Sequence, residues 1–342
     1  MELNSTSQLQ GSLHTVPQGS EALTPVLQVL INGETELVKE RIISIRTTDE
    51  AGIMSDSCEI ELDDFDDAFP LPRTEAVISV SLGYKGGELT KIGSYYVKEI
   101  DIDGARKTLK IKANAASKAM RSQKSKNHEG SMDELLTEMA NEFDLDAAVS
   151  GDLEGLELED FPQFAESDMN YLTRLSQKTG AVAKPTDGHL VFADDMSAKS
   201  ASGKNLPTKY VDVSELGEYS CSFKETKSGG AVGTVFANWY DKDKGEYHMV
   251  KAGSGDPEIE LDEIFSSEKS ALAAANAKFK RVIKSNKTFR FTTGGRPDFF
   301  AESPIVFRGL SPKIPTNWII SRVEHTLSAS GFTTSVECAN VN

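Results

Sequence analysis

Alternation of apolar and polar residues dominates the chain from Pro25 to about Asn114. A period of two puts every second side chain on one face of a strand, so each alternating run predicts a half-buried strand. Val26 to Ile31 runs into Asn32-Gly33, a hairpin signal because both residues tolerate positive φ. Ile42 to Thr48 alternates, with Ile43, Ile45 and Thr47 on one face. Further runs cover 57–62, 77–82, 95–102 and 108–113, the last two joined around Asp103-Gly104. Short strands at this spacing predict an antiparallel barrel or sandwich.

The period changes near residue 117. Ser131-x-x-Glu134 is a capping box, and Met132, Leu135, Leu136, Met139 and Phe143 follow at helical spacing, predicting a helix from 132 to about 143. A short strand near Phe161 to Phe164 leads to a second helix. There Ser167 is placed to cap, Asp168 suits the positive end of the helix dipole, and Met169, Leu172 and Leu175 share a side. Gly180 stops this helix, since glycine takes the left-handed conformation without a Cβ clash. Ala181 to Ala183 and His189 to Phe192 then flank Pro185-Thr186-Asp187-Gly188 as a hairpin. Beyond Pro207 strands are expected at 219–224, 232–240, 246–251 and 287–293. A helix is expected over 267–283, with Ala271, Leu272, Ala275, Phe279, Val282 and Ile283 on one stripe.

Three late strands echo three early ones in order. The run 77–83 parallels 303–309, 96–100 parallels 319–323, and 108–114 parallels 334–340, at shifts of 226, 223 and 226. The fold class expected is α+β and rich in β, with two antiparallel β-barrel domains and a small α/β domain inserted. Residues 1–24 are polar and aperiodic, an expected flexible arm; 25–116 form the first β-domain, completed by part of 206–240; 117–205 are the insertion; and 206–342 form the second β-domain.

The totals narrow the function. The 342 residues carry a net charge of −16, which argues against a surface built for phosphate. The basic stretch from Arg106 to Lys126 is interrupted and reads as a solvated face or partner surface. Cys58, Cys221 and Cys338 are odd in number and far apart, so buried free thiols are expected, in keeping with a reducing compartment. The first residues lack a basic and apolar leader pattern, and no apolar run is long enough to span a bilayer; assembly in the cytoplasm is expected.

Candidate chemistry is sparse. Glu166 and Asp168 could form paired carboxylates, but their place at a helix start explains them by capping. The run Asp63-Asp64-Phe65-Asp66-Asp67 lacks the glycine and glutamate of a calcium loop and reads as a solvated turn. His14, His128, His189, His248 and His325 are scattered, and no nucleophile elbow or phosphate loop occurs. No catalytic, cofactor or metal residues are therefore assigned. Trp239-Tyr240 and Phe299-Phe300 fit interface anchors and core equally well.

The order Gln163-x-x-Glu166-Ser167-Asp168-x-x-Tyr171-Leu172-x-Arg174-Leu175, then Gly180 and a hairpin, resembles the signature of the phage late control D family. These are baseplate hub proteins of contractile tails and tail-like particles, related to the first part of type VI secretion spike proteins. The run from Gly294 to Thr334 resembles the same family, with Trp318 and His325 in its Trp-x-[Val/Ile]-x-x-Val-x-His strand. Members of that family carry two barrels with an α/β insertion, so the resemblance covers the chain from about residue 25 to the end. It implies two domains related to the tail-tube protein and a homotrimer, hence six similar domains in a ring between a sixfold tube and a threefold spike. Implied partners are further copies of the chain, the tube protein, a separate spike polypeptide (the chain stops at Asn342) and other baseplate proteins; no cofactor and no specific nucleic-acid or membrane binding is expected. The alternatives are a baseplate-associated cell-wall hydrolase, for which no catalytic constellation is found, and a transcription regulator, which the acidic balance disfavours.

Overall fold

A computed structural model describes residues 24–339 except 34, 37–38, 52–54, 150–152, 154, 157–160, 187, 195–197, 199–203 and 224–232. The expected N-terminal arm lies outside the described residues, apart from Thr24.

The early strands are β1 (Pro25–Ile31), β2 (Thr35–Glu36), β3 (Ile42–Glu50), β4 (Ser57–Asp63), β5 (Val77–Tyr84), β6 (Thr90–Asp103) and β7 (Thr108–Asn114). The middle of the chain holds β8 (Gln123–Lys126), α1 (Met132–Glu142), β9 (Asp146–Val149), β10 (Gln163–Ser167), α2 (Asp168–Thr179), β11 (Ala181–Thr186) and β12 (His189–Asp194). The remainder is β13 (Lys209–Asp212), β14 (Leu216–Phe223), β15 (Thr234–Asp241), β16 (Glu246–Gly253), β17 (Glu258–Phe265), α3 (Glu268–Asn286), β18 (Lys287–Gly294), β19 (Pro304–Arg308), β20 (Asn317–Ser328) and β21 (Gly331–Ala339).

One 13-stranded sheet runs in the order β14-β18-β21-β20-β3-β4-β7-β6-β5-β1-β2, with β19 and β13 branching from β20. It wraps two cores. Ile45, Ile60, Ile78, Val80, Val97 and Ile111 anchor the first; Phe289, Phe291, Ile305, Phe307, Trp318 and Val336 anchor the second. The protein is thus α+β and β-rich, as the alternation predicts.

The echo is real at the level of pairing. In the first half β5 pairs β6, β6 pairs β7, β7 pairs β4 and β4 pairs β3; in the second, β19 pairs β20, β20 pairs β21, β21 pairs β18 and β18 pairs β14. Both halves carry a bulge at the same rung, between Val97 and Glu99 in β6 and between Ile320 and Arg322 in β20. Aligning these bulges sets Val97 with Ile320, Ile111 with Val336 and Ile78 with Ile305. The first and third shifts are therefore 227 and 225, not 226. A slip of one residue moves a strand's apolar set to the other face. A second shared bulge equates β3 with β14: Ile42 matches Leu216, and Ile45 matches Tyr219. That bulge also turns Ile43 outward to 41% exposure, so Ile42 packs on the core in its place.

Among the described residues, strands from 206–240 do not complete the first half. β13 pairs β19 and β14 pairs β18, both in the second half. β15 leaves the large sheet and sits between β16 and β17, with α3 packed on that three-stranded sheet around Val235, Ala237, Ala252, Phe265, Ala271 and Ala275. The alanines of α3 allow close approach to the sheet, whereas Leu272, expected on the buried stripe, is 39% exposed. The insertion has its own core of Met132, Leu136, Met139, Tyr171, Leu172, Leu175, Leu190 and Phe192.

Candidate functional site

The motif residues converge on the start of α2. Gln163 opens β10 and is buried at 1% exposure. Its amide donates to Asp168 Oδ1 at 2.9 Å and to the Glu166 carbonyl at 3.2 Å, while its Oε1 lies 3.1 Å from His128 Nε2. Ser167 caps α2, its Oγ accepting from the Asn170 N–H at 3.2 Å. Asp168 is buried in the first helical turn, where the helix dipole favours its charge, and Lys124 Nζ lies 3.0 Å from it. Glu166 is engaged by the Arg174 guanidinium, which also donates to the Pro162 carbonyl at 2.8 Å and lies 4.2 Å over the Phe161 ring. Tyr171 donates to the Phe161 carbonyl at 2.9 Å and stacks on His128; burial raises its phenol to about 12. Leu172 and Leu175 fill the insertion core. Every polar member of the motif is thus consumed in holding β10, β8 and α2 together. Replacing Gln163 by leucine strips partners from buried Asp168 and His128, and thermal unfolding should register a loss of about 1–3 kcal/mol.

The C-terminal motif residues belong to the second core. Trp318 Nε1 donates to the Pro315 carbonyl at 2.7 Å, and its ring stacks on Phe289. His325 is buried between Thr334 Oγ1 at 3.0 Å and the Phe299 carbonyl at 3.3 Å; burial lowers its pKa to about 4, so it is neutral at pH 7. Phe299 is core, whereas Phe300, Trp239 and Tyr240 are half-buried.

Among the described residues, the junctions between units include a helix contact and a charge cluster. Gly180 adopts φ +74°, and a Cβ there would meet Ala277 Cβ at 2.6 Å, so α3 packs directly on the end of α2. Lys178 reaches Glu263 at 2.6 Å beside it. The charge cluster escapes a reading of the sequence. Lys184 on β11 is 8% exposed, with Nζ 3.0 Å from Asp49, 3.1 Å from Asp56 and 2.8 Å from the Glu50 carbonyl. Asp49 also accepts the Ala301 N–H at 2.8 Å, and Asp56 accepts the Glu50 N–H at 3.1 Å. One buried cluster therefore joins the insertion to both halves of the large sheet. Burial raises the Asp56 carboxyl to about 7 despite Lys184. Burial also opposes ionisation of Asp49, but Lys184 and the Ala301 N–H outweigh it and hold that pKa below the usual aspartate range. The available signal was a charge inside Ala181-Val182-Ala183-Lys184-Pro185, a run without polar alternation.

The acidic run at 63–67 is a tied turn. Asp63 accepts the Phe65 N–H, Asp64 the Phe69 N–H, and Arg41 clasps Asp66 at 2.7 and 2.6 Å. Among the described residues no cluster of three or more His, Cys, Asp or Glu has metal-site geometry, and no helix is long and apolar enough to cross a membrane. Across the sheet the two halves carry charge ladders of opposite order. Glu59, Lys112 and Glu99 lie in one row, and their counterparts Arg290, Glu337 and Arg322 in the other.

This architecture meets a known family. Residues 132–331 match the family model described as phage tail baseplate hub. The chain belongs to the phage tail baseplate hub family. Members of this family are structural and non-enzymatic, which fits a motif whose carboxylates are all engaged in packing. The hub chain is 29% identical to the probable baseplate hub protein of Escherichia phage 186, covering 94% of each. It is 27% identical to that of Escherichia phage P2, covering 92% of the chain and 93% of the relative. In fold it resembles a tail protein from Neisseria meningitidis MC58, with a TM-score of 0.68 at 10% identity, over 93% of the chain and 97% of that structure. The hub chain is a component of a phage tail baseplate.

Proposed function

We propose that three copies of the hub chain assemble into a ring of six similar β-units, receiving a sixfold tail tube on one face and a threefold spike protein on the other. The observation that carries this reading is the strand-for-strand repeat, with the same pairing order and bulges at the same rungs in both halves. A chain with two equivalent units reconciles three copies with sixfold packing, since each unit offers the tube a similar surface. The insertion, tied to both halves through Lys184, holds their relative position fixed. Assembly would take place in the bacterial cytoplasm, among the other baseplate proteins, before the particle is released. Reconstitution tests the partners. Purified chain mixed with tube protein and spike protein should give particles with a tube on one end and a spike on the other in negative-stain images. Binding of neither partner by the folded chain would overturn the reading.

A further inference from the structure

We propose that the free edges of β6 and β14 pair with each other between neighbouring copies of the chain, in the register that β20 and β3 use within one copy. The proposal rests on the ring reading above and names the surface that closes the ring.

Within the chain the two halves join where β20 runs antiparallel to β3, from Arg322 opposite Glu50 to Ser328 opposite Ser44. The repeat equates β20 with β6 and β3 with β14, so each strand of this junction has a counterpart in the other half. Among the described residues both counterparts have the corresponding edge unpaired. Beyond Val97, β6 is bonded to β7 alone, and β14 is bonded to β18 alone.

Burial follows the same division. Ile45 is 1% exposed and its counterpart Tyr219 is 46% exposed. Buried Thr47 answers to half-buried Cys221. His325 is 2% exposed, whereas its counterpart Ile102 is 62% exposed. These positions occupy equivalent places in one sheet and differ in having a strand beside them. Open edges flanked by exposed apolar side chains are a liability that native proteins cover.

Transferring the register sets Ile102 opposite Cys221, where His325 faces Thr47. It sets Asp101 opposite Ser222 and Asp103 opposite Ser220, where Glu324 faces Thr48 and Thr326 faces Arg46. The faces agree. Ile102 continues the row of Ile100, which packs on the first core, and Cys221 packs on the second core. Ser220 and Ser222 are exposed on the other side, as is Asp101. A slip of one residue would set Ile102 against a serine. Because β6 of one copy meets β14 of the next, the contact is head to tail, the kind that generates closed rings.

The test is Ile102→Cys, with the native Cys221 of the next copy as partner. Opposed Cβ atoms on antiparallel strands lie about 4.5–5.5 Å apart, within reach of disulfide formation with modest adjustment. Cys58 and Cys338 are buried and do not compete. The variant is oxidised with oxidised glutathione, run on a non-reducing denaturing gel, and sized separately by sedimentation. The expected result is covalent multimer, about tenfold more than from Asp103→Cys, whose side chain falls on the opposite face. It should vanish in Ile102→Cys/Cys221→Ser. Asp101→Cys with Ser222→Cys gives an independent cross-link on the outer face. An oligomer that sediments intact yet stays uncross-linked in both pairs would overturn the edge pairing and leave the ring reading standing. A folded monomer would overturn both.

Discussion

Alanine in place of Gly180 should cost the protein about 2–4 kcal/mol of stability, from the strain of a left-handed backbone together with overpacking against a neighbouring helix. The helix end needs φ +74°, which a residue with a Cβ adopts at a cost. The added methyl would also stand 2.6 Å from Ala277 Cβ and 2.7 Å from its Cα, and the second contact is with backbone that cannot rotate away. The damage falls on the contact of α2 with α3, so hydrogen exchange should quicken there before it does in the large sheet. Ala277→Gly in the same chain removes the nearest contact and leaves the backbone strain. The double variant should recover part of the loss, and a double-mutant cycle in chemical denaturation measures that part.

Lys184→Met should cost about 3–5 kcal/mol, because it leaves two buried carboxylates without their cation. Methionine keeps most of the stem's volume, so lost packing contributes little. The loss should appear as earlier proteolysis of the insertion together with a lower melting temperature, since the cluster spans three parts of the molecule. Asp56 gives the pH dependence of the same site. Its folded pKa, about 7, lies above the ordinary aspartate value of about 3.9. The stability contributed by its proton is therefore full below the ordinary value and is lost as pH rises through about 7. Asp56→Asn retains an acceptor for Lys184 and the Glu50 N–H without the second charge. The variant should match the parent near pH 4 and gain on it steadily up to pH 8, as read from denaturant midpoints at each pH.

Much of the fold was legible because half-buried strands and capped helices carry local signals. The runs at 57–62, 77–82 and 108–113 became β4, β5 and β7, and Ser131 with Glu134 marks the start of α1. What escaped was set by partners distant in sequence. Ile43 alternates properly on paper, but a bulge turns it outward. β8 reads as a basic solvated stretch because its lysines are neutralised by Glu138 and Glu142 on α1. β17, with Glu258, Glu260 and Glu263, lies at the edge of a small sheet, where burial writes little into the sequence. The repeat was visible as a succession of strands, yet two of its three shifts were off by one, because alternation fixes a face and bulges fix the register. Within the motif, Ser167 and Gly180 announce their roles through capping chemistry. The Gln163, His128 and Asp168 network and the Lys184 cluster depend on contacts that no local pattern encodes.

The repeat also explains why the two halves differ in chemistry while sharing a backbone. Pairing order and bulge position set the shape a partner would meet, so these are held in common. The outer ladders reverse sign between halves, Glu59–Lys112–Glu99 against Arg290–Glu337–Arg322, because cross-strand pairing requires opposite neighbours rather than a given order.

The mass of the purified chain in solution tests the central claim most directly. One chain is 37.2 kDa, so three times that mass, about 112 kDa, is the expected species in sedimentation equilibrium at micromolar concentration. A folded protein that stays at 37.2 kDa as concentration rises would contradict a self-assembling hub.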